Sequence, residues 1–210
     1  MKKNKTDITL VVDRSGSMSS IKNDMEGGFK DFLKSQKTLG LETYLTHYEF
    51  DTEYNKVIDN KNINDVNAIT INPRGGTALI DAVCRSIVET GERLDKLHES
   101  EKPETVIFIV VTDGEENSSR EYKIEKLKEL VELQQSKYNW RFIFLGANID
   151  GFQTGQSYGF VGGSSMTFGT TTDSINATFT SASNMVRSYS LGEDYAFSDK
   201  ERKEAANGKV

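Results

Sequence analysis

Short apolar runs alternate along this chain with longer segments whose apolar residues recur every three or four positions. That alternation predicts an α/β fold: a doubly wound, mostly parallel sheet with helices on both faces. Five runs have strand composition: 8–13 (ITLVVD), 41–50, 106–112 (VIFIVVT), 140–146 (WRFIFLG) and the weaker 165–168. The near-continuous apolar stretches at 8–12 and 106–111 predict central strands covered on both faces. Segment 41–50 interleaves polar and apolar residues and turns at Asp51-Thr52 into 53–58, which predicts an antiparallel hairpin at the sheet edge.

Four amphipathic segments lie between and after these runs. Segment 20–37 places Ile21, Met25, Phe29, Phe32 and Leu33 on one stripe, with Gly27-Gly28 read as a close approach to the sheet. Segment 77–98 carries Ile80, Val83, Ile87, Leu94 and Leu97, and segment 119–138 carries Ile124, Leu127, Leu130 and Val131. Segment 173–189 carries Ile175, Phe179, Ala182, Val186 and Tyr189, with Asp173 as its expected N-cap. Past residue 190 the chain turns polar, so residues 6–190 read as the domain and 191–210 as a solvated tail or frayed helix.

Composition narrows the function. The 210 residues suffice for one domain with a substantial core. Lys and Arg number 26 against 32 Asp and Glu, a net charge of −6, which argues against a nucleic-acid partner. One cysteine, Cys84, excludes an internal disulfide, and with only His47 and His98 beside it a structural zinc site is not expected. The basic start at residues 1–5 is followed by an apolar run too short for a signal peptide, and no stretch reaches the length of a membrane span. The expectation is a cytoplasmic protein with no membrane partner.

In a doubly wound sheet, ligands bind at the C-terminal strand ends, where the strand order reverses. The residues just past the apolar runs therefore carry the chemistry. Asp13-Arg14-Ser15-Gly16-Ser17 follows the first run, Thr112-Asp113-Gly114 follows 106–111, and Arg74-Gly75-Gly76-Thr77 opens a long amphipathic segment. Three distant segments would thus bring two carboxylates and three hydroxyls to one edge. An all-oxygen set with a formal charge of only −2 suits a hard cation such as Mg²⁺, which is bound by one or two carboxylates with hydroxyls and water. It would leave the ion able to take one more anionic oxygen.

These pieces, Asp13-x-Ser15-x-Ser17, Thr77 after a Gly-Gly, and Asp113 in Thr-Asp-Gly, resemble the metal-ion-dependent adhesion site (MIDAS) of von Willebrand factor A domains. The resemblance covers roughly residues 6–190. It implies a six-stranded sheet of order 3-2-1-4-5-6 with strand 3 antiparallel. It also implies Ser15, Ser17 and Thr77 as direct ligands of Mg²⁺ (Mn²⁺ or Ca²⁺ as alternatives), with Asp13 and Asp113 anchoring the ion and its waters. The open position would be filled by a Glu or Asp of a partner protein. The family includes adaptors for AAA+ ATPases and components of larger multi-protein assemblies.

Simpler roles stand beside each of these. Asp13, Ser15, Ser17 and Thr77 are all good helix caps, Asp113-Gly114 is a common turn, and Glu115, Glu116 and Asn117 read as a solvated loop or a rim of the metal face. Arg14 reads as a surface residue or a docking contact. Tyr158, Phe160 and Phe168 read as packing or as a rim, and Cys84 as a buried structural thiol. No P-loop, dinucleotide-binding or nucleophile-elbow motif is present. The chain is therefore expected to be a non-enzymatic, Mg²⁺-dependent interaction module. A metal-dependent hydrolase and a metal-free structural domain are the alternatives. Acidic residues Glu193, Asp194, Glu201 and Glu204 raise the further expectation of head-to-tail assembly, through a carboxylate offered to a neighbouring molecule's metal.

Overall fold

The computed structural model describes residues 1–207. The chain runs β1 (Lys2–Asp13), α1 (Lys22–Thr38), β2 (Glu42–Phe50), β3 (Tyr54–Asn62), α2 (Leu79–Asp95), β4 (Pro103–Thr112), α3 (Ile124–Tyr138), β5 (Arg141–Ala147), α4 (Gly151–Ser157), β6 (Ser165–Phe168), α5 (Thr172–Ser190) and α6 (Asp199–Ala205). The strands form one sheet in the order β3-β2-β1-β4-β5-β6. Only β3 is antiparallel, paired with β2 as a hairpin. Strand β1 lies between β2 and β4, parallel to both.

Because side chains alternate across a strand, the central strands feed two cores. Ile8, Leu10 and Val12 of β1, Ile107, Ile109 and Val111 of β4, and Ile143 and Leu145 of β5 pack with α1 and α5. Val11, Phe108, Val110, Phe142 and Phe144 face the other way, onto α2 and α3. Double coverage is why these strands read as unbroken apolar runs.

Several boundaries differ from the sequence reading for local reasons. Helix α1 begins two residues late because Gly16–Ser20 forms a 3-10 turn ahead of it. Gly28 is the close approach, but to another helix: a Cβ there would overlap the Phe179 ring of α5, whereas Gly27 meets nothing. Helix α3 begins at Ile124 rather than 119, and Ile124 is exposed rather than part of the core stripe. Thr171, not Asp173, caps α5 by accepting from the Ser174 amide. The short helix α4 was not foreseen; its capping residue, Asp150, accepts from the Gln153 amide.

Over its described part, 191–207, the segment expected to be a solvated tail or frayed helix is a packed element; residues 208–210 lie outside the described residues. Phe197 and Ala205 are buried in the α1/α5 core. Arg202 donates to the carbonyls of Ser165 (2.5 Å) and Gly162 (3.0 Å), and the Gly169 amide donates to Ala205 O (2.9 Å), which ties α6 to β6 and its flanks. Ser198 and Glu201 form a reciprocal capping box at the start of α6. Glu201 also accepts from the Tyr195 hydroxyl, and Asp194 pairs with Arg141. Glu204 pairs with Lys200 (3.8 Å), so three of the four tail carboxylates expected to serve a neighbouring molecule are engaged within their own chain.

Candidate metal centre

Strand β1 ends at Asp13, whose side chain is fully buried. Asp13 Oδ1 accepts from the Ser15 amide (2.6 Å) and Oδ2 from the Thr112 hydroxyl (2.6 Å). The chain then turns through the 3-10 segment, which sets the Ser15 and Ser17 hydroxyls 3.0 Å apart. Ser17 Oγ donates to Asp113 Oδ1 (2.6 Å), just past the end of β4. Thr77 Oγ and Ser17 Oγ flank Gly114: a Cβ built there would stand 3.5 Å from the first and 3.7 Å from the second. All five residues singled out from sequence therefore meet at one edge of the sheet, close to Gly114.

The loops that carry them are stitched to one another. The Gly16 amide donates to Gly75 O (3.1 Å) and the Arg74 amide to Arg14 O (2.8 Å), which joins the first loop to the second. Gly75 has φ +67°, the left-handed region that a residue without a Cβ enters at no steric cost. The second loop is joined to the third by the amides of Asn117 and Ser118, which donate to Thr77 O (3.0 and 3.1 Å). The first amides of a helix lack partners within it, and for α2 they are supplied from the third loop. Asn117 Oδ1 accepts from the Thr77 amide, Glu116 Oε2 from Ile80 and Ser119 Oγ from Asp81. Glu116, half-buried, and Asn117, exposed as a loop residue would be, thus also brace the start of α2. Ser119 is spent as a cap for α2, and the amides of Arg120, Glu121 and Tyr122 all donate to Asp81, so α3 cannot start until Ile124.

Asp51, at the end of β2, was not singled out from sequence. Its carboxylate accepts from the Glu53 amide (2.6 Å) and Arg74 Nε (2.8 Å), with Arg14 Nε 3.1 Å away, and its carbonyl accepts from the Ala78 amide (2.9 Å). Burial pushes this carboxyl up, but the Glu53 amide and the two guanidinium groups outweigh it and hold it below the usual range. Arg14 is not a docking residue on the surface: it points into the fold, with Glu49 3.3 Å away on the other side. Inspecting the strand end at 51, as at 13 and 113, would have found Asp51 from sequence.

Burial perturbs both carboxyls of the candidate site. Burial pushes the Asp13 carboxyl up to about 6 despite the Thr112 and Ser15 hydrogen bonds, and the charge of Asp113 adds to the rise. Asp113 is raised by burial as well. The donor set fits Mg²⁺: neighbouring ligands of an octahedron with bonds of 2.0–2.1 Å stand about 2.9 Å apart, and the Ser15 and Ser17 oxygens are 3.0 Å apart. Among the described residues no cluster of three or more His, Cys, Asp or Glu side chains forms a metal site of another kind.

The remaining candidates are structural. His47 is buried, with Nε2 3.5 Å from Glu49 Oε1 and Nδ1 3.4 Å from Leu10 O. Burial pushes the Cys84 thiol up to about 12, which makes it unreactive at neutral pH. Tyr158 and Phe160 pack edge-on against Phe144, and Phe168 is buried, so none of the three rims the site. No helix among the described residues is long and apolar enough to cross a membrane.

No family model and no curated protein matches the sequence at a significant level. Solved structures do match in shape. Proximal thread matrix protein 1 from the mussel byssus aligns with a TM-score of 0.60 at 15% identity, over 90% of this chain and 48% of that one. A form of the same protein with a zinc-occupied MIDAS motif gives 0.59 at 15% identity, over 89% and 46%. The von Willebrand factor domain of the type V pili tip protein Mfa5 from Porphyromonas gingivalis gives 0.57 at 11% identity, over 93% and 98%. The chain spans about half the length of the mussel protein. The fold is that of von Willebrand factor A domains, with the strand order and the single antiparallel strand expected of it.

Proposed function

We propose that this protein is a non-enzymatic, Mg²⁺-dependent binding module that accepts a carboxylate from a partner protein. The observation that carries the reading is the meeting of Asp13, Ser15, Ser17, Thr77 and Asp113 beside Gly114. Ser15, Ser17 and Thr77 would hold the ion directly, with Asp13 and Asp113 behind them. A bound Mg²⁺ supplies a concentrated point of positive charge on a protein of net charge −6. The chain's own part is to hold three neutral oxygens and two carboxylates rigidly, so the ion stays under-neutralised and keeps its affinity for an outside anion. An all-oxygen set favours Mg²⁺ or Mn²⁺ over zinc, which prefers nitrogen and sulfur in tetrahedral sites. Two carboxylates with no positioned base suit holding a ligand better than activating water. A role as a cytoplasmic adaptor for an ATPase or a larger assembly is part of the proposal.

The test is thermal unfolding in EDTA and with Mg²⁺, Mn²⁺, Ca²⁺ or Zn²⁺, for the wild type and Thr77→Ala. An ion bound only by the folded state, at a hundred times its dissociation constant, adds about 2.7 kcal/mol. A rise of several degrees in the wild type that is lost in the variant supports the site. No rise with any ion at millimolar concentration would sink the metal reading and leave a metal-free interaction domain.

A further inference from the structure

Beside the candidate metal centre lies a second concavity of about 370 Å³, lined by Thr52, Ala78, Asp81, Arg85, Arg120 and Glu121 among others. It begins where the metal set ends, since Ala78 directly follows Thr77. We propose that this cleft is a specificity subsite that takes a second acidic side chain of the same partner, two residues from the one on the metal. The inference rests on the carboxylate-acceptor reading above and says which partners that site prefers.

The charges decide the sign. Most ionic groups of the cleft are already satisfied. Asp81 accepts from the amides of Arg120, Glu121 and Tyr122. Arg85 holds the Glu121 carboxylate through Nε (2.6 Å) and its terminal nitrogen. Elsewhere on this face Arg14 is enclosed by Glu49 and Asp51, and Arg74 is taken by Asp51 and Glu53. Arg120 is exposed, and among the described residues its guanidinium has no carboxylate partner. It is the one free arginine at this edge, and the Thr52 and Ser118 hydroxyls share its cleft.

The opposite flank has the opposite sign. Glu115 is exposed, and its charge adds to the burial that raises the Tyr158 phenol on the β5 side; the Glu116 carboxylate instead lies toward α2, where the amides of Ile80, Ser118 and Ser119 donate to it. Among the described residues, an acidic partner segment crossing the metal therefore meets an unpaired carboxylate, Glu115, on the β5 side and an unpaired guanidinium, Arg120, on the α2 side. Alternate residues of an extended segment point the same way and lie about 6.6–7.2 Å apart. An acidic residue two positions from the metal-bound one would thus point down with it, into the adjoining cleft. The cleft walls are preset: the amides of residues 117 and 118 are bonded to Thr77 and those of 120–122 to Asp81. The second contact therefore costs no loop ordering.

The experiment uses the full chain and three fluorescein-labelled alanine-based heptapeptides: one glutamate, Glu-Ala-Glu and Glu-Ala-Lys. Binding is followed by anisotropy at low ionic strength in Mg²⁺ and in EDTA. The two-glutamate peptide should bind about two- to fivefold more tightly than the single-glutamate one, as a partly exposed ion pair allows. Arg120→Ala should remove that gain while leaving the single-glutamate affinity and the Mg²⁺-induced rise in Tm unchanged. Arg120→Glu should make the lysine peptide the preferred one. Metal-dependent binding with no gain from the second glutamate, or a gain that survives Arg120→Ala, overturns the subsite and leaves the carboxylate-acceptor reading standing. Metal-dependent binding of none of the three peptides overturns that reading, and the subsite with it.

Discussion

Asp13→Asn separates what the site costs from what it does. Asp13 is fully buried, and its carboxyl is raised from 3.8 to about 6. A raised carboxyl contributes stability that is complete below its unfolded value and lost as pH rises through its folded value. Two units at about 1.4 kcal/mol each make the ionised carboxylate cost about 3 kcal/mol at pH 7.5. Asparagine is neutral and can reuse both contacts: its oxygen accepts from the Ser15 amide, and its nitrogen donates to Thr112 Oγ. The Thr112 hydroxyl can then donate to Gly114 O, 3.1 Å away. In EDTA at pH 7.5 the variant should be more stable than the wild type by about 2 kcal/mol, or about 4–8 °C in Tm. At pH 4, where the wild-type carboxyl is largely protonated, the two should nearly coincide. With Mg²⁺ at a hundred times its dissociation constant, the wild type should gain about 2.7 kcal/mol and overtake a variant that gains nothing. Calorimetric scans at the two pH values, with and without Mg²⁺, contain every comparison. A variant less stable than the wild type in EDTA at pH 7.5, or a gap that does not close at pH 4, would refute the claim that burial of this charge costs stability when no ion is bound.

Asp51→Asn removes the charge on which Arg14 and Arg74 converge; Mg²⁺ affinity from calorimetric titration should fall about tenfold or more, as for removal of a residue that orients metal ligands, with the circular dichroism spectrum unchanged. Arg74→Ala should lower it too, and the two losses together should be less than additive because they break one contact. Gly28→Ala forces a Cβ into the Phe179 ring and should destabilise by about 1–3 kcal/mol in urea unfolding, whereas Gly27→Ala, which meets nothing, should be neutral or slightly stabilising. Arg202→Ala should free β6 and α6, seen as faster amide hydrogen exchange at Met166–Phe168 and Gly169, without altering the Mg²⁺ response.

The sheet was legible because doubly covered strands have nowhere to place a polar side chain, so 8–12 and 106–111 stand out as apolar against any neighbour. Helix stripes were legible for the same reason where both neighbours are apolar, as for Phe29 and Phe32. What escaped depends on contacts between segments. The start of α3 cannot be read from 119–138, because Ser119 is claimed by α2 and the next three amides by Asp81. Nor does the polar string 191–207 reveal that Phe197, Arg202 and Ala205 are enough to dock it, since three anchors at irregular spacing make no periodic signal.

The candidate site divides the same way. Its five side chains were legible because each sits just past a strand or opens a helix, where an α/β sheet places its ligands. The bracing around them was not. Glu116, Asn117 and Asp51 look like loop residues in sequence, yet they fix the amide of Thr77, the start of α2 and the two arginines that bind the first loop to the second. An under-neutralised cation needs such a frame. A flexible loop would let a third carboxylate, such as Glu115, swing onto the ion and satisfy it from within. By spending Glu116 and Asp51 on backbone amides and guanidinium groups, the fold keeps nearby negative charge away from the candidate site, as the proposed function requires.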